Sequence, residues 1–157
     1  MRKSIIASSE ASTPRASLGK WLDLETIAGV QITSEDPEHP FEDALRVEKG
    51  IGWKAAEPGP QLILLTFDNP QHIRGIRLTF REEEMERAQE FAVFITSVTA
   101  ARKEVFRQQW TFSPGGSTSE VEDLAFDLPG VTVLELSIDP GRHNKQAIAT
   151  LGSIEVR

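Results

Sequence analysis

The sequence predicts an all-β protein folded as an antiparallel β-sandwich. Apolar side chains recur at every second position in a series of short runs, the period of a strand with one buried face. Turn-forming residues separate these runs at intervals of roughly ten residues, a spacing typical of a sandwich or barrel. Segments with helical character are each too short to change this fold class.

Each strand is predicted from its own alternation. Residues 61–67 are apolar on both faces, which indicates a central strand. Residues 73–81 place Ile, Leu and Phe on one face and Arg and Thr on the other. Further strands are predicted over residues 91–95, 106–112, 124–128, 134–138 and 148–156. Gly152 shifts the apolar phase of the last strand and predicts a bulge there.

Turns are predicted wherever Pro, Gly, Asp or Asn interrupt the apolar pattern. The interruptions are Asp-Asn-Pro at 68–70, Ser-Pro-Gly-Gly at 113–116, Pro-Gly at 129–130 and Asp-Pro-Gly at 139–141. Two short segments have helical character. One is 40–45, which follows a proline, and the other is 82–89, which is charged and lacks β-branched residues.

The length of 157 residues fits one domain. Residues 1–20 are rich in Ser, Ala and Thr and are expected to form a flexible leader, with residues 21–157 as a single β-sandwich domain. The apolar run near the N-terminus is too short for a secretion signal, and no stretch approaches the ~20 apolar residues of a membrane span. We therefore expect a cytoplasmic protein.

Composition and motifs argue against several function classes. A formal net charge of -7 disfavours nucleic-acid and membrane partners, since phosphate binding needs surplus Lys and Arg. The absence of cysteine excludes disulfides and thiolate chemistry. His39, His72 and His143 lack the spacing of a metal site, and no Gly-x-Ser-x-Gly motif occurs. No pattern selects a carboxylate pair for glycoside hydrolysis. We expect neither an enzyme nor a cofactor or metal.

The longer loops are expected to gather at one end of the sandwich. If successive strands are antiparallel, connections alternate between two ends, and tight turns collect at 68–72, 97–103 and 129–130. The other end collects 34–60, 81–88, 113–118 and 139–146. This long-loop end carries most of the chemically versatile side chains, so it is the predicted binding site. The predicted ligand-binding residues are His39, Trp53, Arg81, Arg87, Arg142, His143 and Asn144.

An exposed Trp beside Arg, His and Asn suits a sugar or a peptide. The ring offers an apolar platform, while the other groups supply hydrogen bonds and charge. Two alternatives stay open at this point. The charged loop residues are also compatible with solvated surface, and Trp53 is also compatible with a core anchor that plugs the end of the sandwich.

Several short motifs resemble the discoidin, or coagulation-factor type C, superfamily. The opening motifs are Ala44-Leu45, Gly50-Ile51-Gly52-Trp53-Lys54-Ala55-Ala56 and the strands at 61–67 and 73–80, and residues 147–156 resemble the final strand. The resemblance covers about residues 28–157 and is greatest to small stand-alone bacterial members. It implies a galactose-binding-like jelly-roll sandwich. Members outside the cell commonly bind glycans or lipid head groups, and cytosolic members more often bind proteins.

The sequence also departs from that superfamily. Residues 97–101 lack the Asp-Gly pair of the superfamily's hairpin. Many members hold calcium with an early-loop Asp and a last-strand Glu, where this chain has Glu48-Lys49 and Ser153. A Lys opposes a cation, so we expect no tight calcium site.

Two functions from different classes follow. The first is a non-catalytic binding module that engages a carbohydrate or a protein partner through the long loops. The alternative is a structural or assembly protein that forms an oligomer through a sheet face or edge.

Overall fold

The fold is mostly antiparallel β-structure. A computed structural model describes residues 20–46 and 52–157 of the chain. The predicted leader falls almost entirely on residues 1–19, outside the described residues. The elements of the described part are helix α1 (Leu24–Ile27), β1 (Ala28–Ile32), a 3₁₀ helix (Phe41–Leu45), β2 (Trp53–Pro58), β3 (Gln61–Arg81), β4 (Arg87–Ser97), β5 (Lys103–Phe112), β6 (Ser119–Asp139), β7 (Ile148–Leu151) and β8 (Ser153–Val156). The all-β prediction is confirmed.

Two long strands organise the sheet. Its order is β1-β3-β6-β4-β5, with β8 added to β3, while β2 pairs with β7 in a separate ladder. All of these pairings are antiparallel. β3 and β6 pair along almost their whole length, from Gln61 opposite Ile138 to Arg81 opposite Ser119.

The turns predicted at 68–70 and 129–130 are wrong, because both sequences lie inside continuous strands. The β3–β6 register shifts between Thr66 and Gln71, and Gln71 pairs with Val131. Pro70 has no N–H for the ladder, and Gly130 adopts a φ of 65°. The interruptions face each other on paired strands, so the two strands bulge and bend together instead of reversing direction.

The bend folds the strand pair into two facing layers. Phe91 of β4 pairs with Ile138, which also pairs with Gln61 at the start of β3. The ring of Phe91 packs against Phe80, near the end of β3, with centroids 5.0 Å apart. The start and the end of β3 therefore lie at the same end of the sandwich, although no turn separates its two halves.

The predicted inward faces form the core between these layers. Alternation buries every second side chain of β3 before the bend and resumes in shifted phase after it. The core residues of β3 are Ile63, Leu65, Phe67, Ile73, Ile76, Leu78 and Phe80. No helix in the described ranges is long and apolar enough to cross a membrane.

Of the three remaining secondary-structure predictions, two are confirmed and one is wrong. The helical character predicted at 40–45 is confirmed: Phe41–Leu45 forms a 3₁₀ helix, and this helix buries Phe41. The helix at 82–89 is wrong: both backbone N–H groups at 84 and 85 bind the Glu82 carboxylate, and β4 starts at Arg87. The predicted irregularity at Gly152 is confirmed. Its N–H donates to Thr79 O at 2.7 Å, where the chain passes from β7, paired with β2, to β8, paired with β3.

Candidate binding site at the long-loop end

The loop after β1 lies directly beside the start of β2. Asp36 N donates to Lys54 O at 2.9 Å, and Lys54 N donates to His39 O at 3.2 Å. These two bonds extend the β2–β7 ladder by one further segment of chain. They fix His39 next to Lys54 even though the two residues are far apart in sequence.

On its other side, β2 leads through β7 to the end of β3. Lys54 and Thr150 are Cα partners in the β2–β7 ladder. The Thr150 hydroxyl donates to Arg81 O at 3.3 Å. His39, Lys54, Thr150 and Arg81 therefore stand on four adjacent segments at the long-loop end, and we call this set the rim.

The first segment of the rim carries a carboxylate. Asp36 Oδ2 lies 3.5 Å from His39 Nδ1. The N–H of Glu38 is the main cause that lowers the pKa of Asp36; burial opposes this, and the nearby His39 and Lys54 lower the pKa further. Asp36 is therefore ionised at neutral pH and lies beside the His39 ring, whose Nδ1 is buried without a hydrogen-bond partner among the described residues.

The loop at 139–146 packs against β4 and against the loop at 81–88, which begins at the rim residue Arg81. Arg142 N donates to Ala88 O at 2.9 Å, and its guanidinium lies 3.3 Å from Glu90 Oε1. Glu90 is also 3.3 Å from Arg107, so it bridges a loop cation and a strand cation. The Arg142 side chain stays partly exposed at 38 %. The structure places this predicted residue at the surface of the long-loop end.

The predicted residues His143 and Asn144 differ in their hydrogen bonds. His143 is exposed, with no hydrogen bond to another described residue. Asn144 Oδ1 accepts from Gln146 N at 2.9 Å, which closes the loop. Its Nδ2 lies 3.9 Å from Met85 Sδ, and Met85 is an exposed apolar side chain of the long-loop end. Sequence reasoning missed Met85, because it sits within a run of glutamates.

The prediction of an exposed Trp53 platform is wrong. Trp53 is 1 % exposed, and its indole Nε1 donates to Ser34 O at 3.2 Å. The indole thus ties the loop after β1 to the start of β2 and belongs to the core. The alternative interpretation, a core anchor at the end of the sandwich, agrees with this position.

Replacing Trp53 by Phe is expected to lower the free energy of unfolding by about 1 kcal/mol, because it removes the buried bond to Ser34. Urea denaturation measures this change. Trp21, whose ring is stacked by Arg157 at 4.3 Å and is only partly buried, offers the matched Trp→Phe control. An equal loss in both variants would contradict the anchoring role of the indole N–H.

Arg87 is buried and does not reach a ligand surface, which contradicts its predicted binding role. Its side chain is 0 % exposed. Nε donates to Glu82 at 2.7 Å, and Nη1 donates to Gln89 at 2.9 Å and to Pro140 O at 2.8 Å. Nη2 lies 3.5 Å from Thr150 Oγ1, so the guanidinium joins the loop at 81–88 both to the loop at 139–146 and to β7.

The part of the chain that the structure describes contains no cluster of side chains suited to a metal ion. Residues 20–46 and 52–157 contain no group of three or more His, Asp or Glu side chains that could hold an ion. The calcium-related positions Glu48 and Lys49 lie outside these ranges, while Ser153 is buried. The absence of a tight calcium site stays a prediction.

Solved structures share this fold. No protein-family model matches the chain, and no curated protein matches it significantly. The family 32 carbohydrate-binding module of C. perfringens NanJ, solved with galactose, has a TM-score of 0.64 at 15% identity, covering 87% of this chain and 96% of that one. The family 32 module of AlyQ, solved with 4,5-unsaturated mannuronic acid, has a TM-score of 0.63 at 14% identity, covering 88% and 98%.

A third similar structure is a pectin-binding carbohydrate-binding module. Its TM-score is 0.59 at 19% identity, and the match covers 83% of this chain and 90% of that one. Identities this low establish the fold alone. The chain therefore has the discoidin-type, galactose-binding-like β-sandwich fold that its sequence resembles.

Proposed function

We propose that this protein is a non-catalytic carbohydrate-binding module that holds a saccharide at its long-loop end. The fold supports this proposal, because similar structures of the same size are modules solved with galactose and with an unsaturated mannuronic acid. The same fold also carries other functions, so the argument depends on the site itself.

The observation that carries the proposal is the convergence of polar side chains from separate segments. His39 lies in the loop after β1, Arg81 lies at the end of β3, and Arg142 and His143 lie together in the loop at 139–146, so three separate segments contribute side chains that retain exposed surface. A saccharide is bound by several fixed hydrogen-bond donors and acceptors around one apolar contact. Met85 provides the apolar contact in place of the predicted tryptophan.

The carboxyl pair of the interior does not suit hydrolysis. Glu120 is 2 % exposed, and its neighbour Glu122 accepts a bond from Gln108 at 2.8 Å. Both side chains come from the first residues of β6. Glu120 is the Cα partner of the buried Phe80, so it faces the interior, on the opposite face of the strands from the exposed Arg81. A glycosidase needs its two carboxyl groups on either side of a bound glycosidic linkage. This arrangement supports a binding role without catalysis.

A protein ligand and an assembly role through a sheet face or edge stay predictions. The outer face of the sheet carries the bidentate pair Arg102–Glu135, with Arg102 stacked 4.0 Å from the centroid of Phe94. This ion pair covers the aromatic ring and makes the face more polar. Light scattering on the full chain distinguishes the two classes: a stable oligomer favours assembly, and a monomer favours the binding module.

Binding of a neutral, galactose-containing oligosaccharide is the direct test, measured by isothermal titration calorimetry. Arg81→Ala and His143→Ala are each expected to weaken binding about tenfold, since each removes hydrogen bonds worth about 1.4 kcal/mol. Lys103→Ala, an exposed cation of β5, is the matched control and should leave the affinity unchanged. Equal losses in all three variants, or no binding by the unmodified chain across a panel of neutral and acidic saccharides, would refute the proposed site.

A further inference from the structure

We infer that the rim prefers saccharides that carry a carboxylate, such as uronic acid residues, and that Lys54 and Arg81 recognise this group. The inference rests on the proposed function and adds the charge class of the ligand. The basis is the set of ion pairs that the arginine and lysine side chains form.

Most arginines in the described ranges form ion pairs with carboxylates. The paired ones are Arg46, Arg77, Arg87, Arg102, Arg107, Arg142 and Arg157. Arg81 and Lys54 form no ion pair with any other residue in 20–46 and 52–157. Other described cations, such as Lys103 and Arg74, also lack an ion pair, but Lys54 and Arg81 are distinguished by lying on either side of the same residue, Thr150.

The nearest acids are already engaged elsewhere. Glu82 follows Arg81 in sequence, but its carboxylate accepts bonds from Arg87 Nε at 2.7 Å and from Glu84 N at 3.1 Å. Asp36 attracts Lys54 electrostatically but forms no ion pair with it, since its carboxylate accepts from Glu38 N at 2.9 Å and lies 3.5 Å from His39 Nδ1. Neither of these acids is paired with Lys54 or Arg81, so both cations can still interact with an external anion.

The backbone places the two cations within reach of one ligand group. Lys54 and Thr150 are Cα partners, which puts their Cα atoms about 5 Å apart. Thr150 Oγ1 donates to Arg81 O at 3.3 Å, so Arg81 lies next to Thr150 on the side away from Lys54. Lys54 is half-buried and Arg81 is exposed. Two long side chains that start on either side of Thr150 can meet at a single carboxylate.

The chemistry of the two groups favours a carboxylate over a neutral hydroxyl. A guanidinium binds a carboxylate through two parallel N–H bonds, and an ammonium adds a point charge. Hydrogen bonds between ionised partners are roughly twice as strong as neutral ones. Preference for a charged sugar is the expected consequence.

The test compares two ligands that differ only in charge. Calorimetry of the full chain with an oligogalacturonide, and with its methyl ester of the same length, should give an affinity about tenfold higher for the free acid. High salt should reduce this difference, because the site is at the surface. Equal affinities for the two ligands would overturn the inference while leaving the proposed function intact. If the chain binds neither of these ligands nor any neutral saccharide, both the inference and the proposed function are wrong.

Substitutions test whether Lys54 causes the preference for the acid over the ester. Lys54→Gln should remove most of the difference between acid and ester without abolishing binding of the ester, and Lys54→Arg should keep the difference. Arg74→Gln is the matched control. Arg74 also forms no ion pair among the described residues, but it lies about 20 Å from Arg81 along β3. A preference for the acid that survives in Lys54→Gln, or that is lost in Arg74→Gln, would contradict the assignment.

Discussion

Replacing Glu120 by Gln is expected to raise the free energy of unfolding at pH 8 by about 2 kcal/mol. Glu120 is 2 % exposed, and neither of its carboxylate oxygens has a hydrogen-bond partner among the described residues. Burial, and to a smaller degree the neighbouring Glu122, together raise the pKa of Glu120 to about 8. Gln keeps the shape of the side chain, removes the charge and can donate an N–H to the Glu122 carboxylate.

The sign of the pH dependence follows from the raised pKa of Glu120. An unfolded Glu loses its proton near its ordinary pKa of 4.5, whereas the folded protein keeps this proton until about pH 8. Between these values the folded state binds more protons than the unfolded state, so stability falls as the pH rises. The stabilisation by Glu120→Gln should therefore be close to zero at pH 4 and largest at and above pH 8.

Urea denaturation across this pH range measures the effect. Glu122→Gln should stabilise the fold less, because it removes only the smaller cause of the raised pKa and leaves Glu120 buried. Glu83→Gln, at an exposed position in the loop before β4, is the control and should stay within about 0.5 kcal/mol at every pH. A constant difference between Glu120→Gln and the unmodified chain from pH 4 to pH 8 would contradict the proton assigned to Glu120.

The strands were predictable from sequence, but the path between them was not. Alternation reports which face of a segment is buried, and this holds for β3 on both sides of its bend. The same residues, Asp-Asn-Pro and Pro-Gly, favour a turn and also a bulge. Only the partner strand decides between them. Here Gln71 pairs with Val131, so both strands continue through their interruptions.

The candidate site was predictable at the level of loops and not of individual side chains. Grouping the connections by strand direction brings residues 34–60, 81–88, 113–118 and 139–146 together. In the structure Glu82 N donates to Thr118 O and Arg87 Nη1 donates to Pro140 O, so hydrogen bonds join the last three of these segments. The exposure of Trp53 and Arg87 depends on distant backbone carbonyls, at Ser34 and Pro140. A local pattern of charged and aromatic residues contains no information about those contacts, so both residues appeared to be available for binding.

Arg87→Met is expected to lower the free energy of unfolding by about 3–5 kcal/mol, the largest loss we predict. The substitution leaves Pro140 O and the Gln89 amide without their donor, and it leaves Glu82, only 15 % exposed, without its cation. Arg87→Lys should also lower the free energy of unfolding. A single ammonium group cannot reach the three acceptors on Glu82, Gln89 and Pro140 at the same time, as the planar guanidinium does. Arg142→Met, a partly exposed pair with Glu90, is the control and should cost about 1 kcal/mol or less.

The pH dependence and a double variant separate the ion pair from simple loss of packing. Burial opposes ionisation of Glu82, but the bonds from Arg87 and from the N–H groups of Glu84 and Met85 outweigh it and lower the pKa of Glu82. A lowered pKa stabilises the fold above the usual value of 4.5, and this contribution is lost as the pH falls further. Arg87→Met should weaken that loss at acid pH, and adding Glu82→Gln should recover part of the stability at pH 7, since no buried charge is then left unpaired. If the double variant is less stable than Arg87→Met alone, the guanidinium does not act by neutralising Glu82, and its contribution comes from the bonds to Gln89 and Pro140 only.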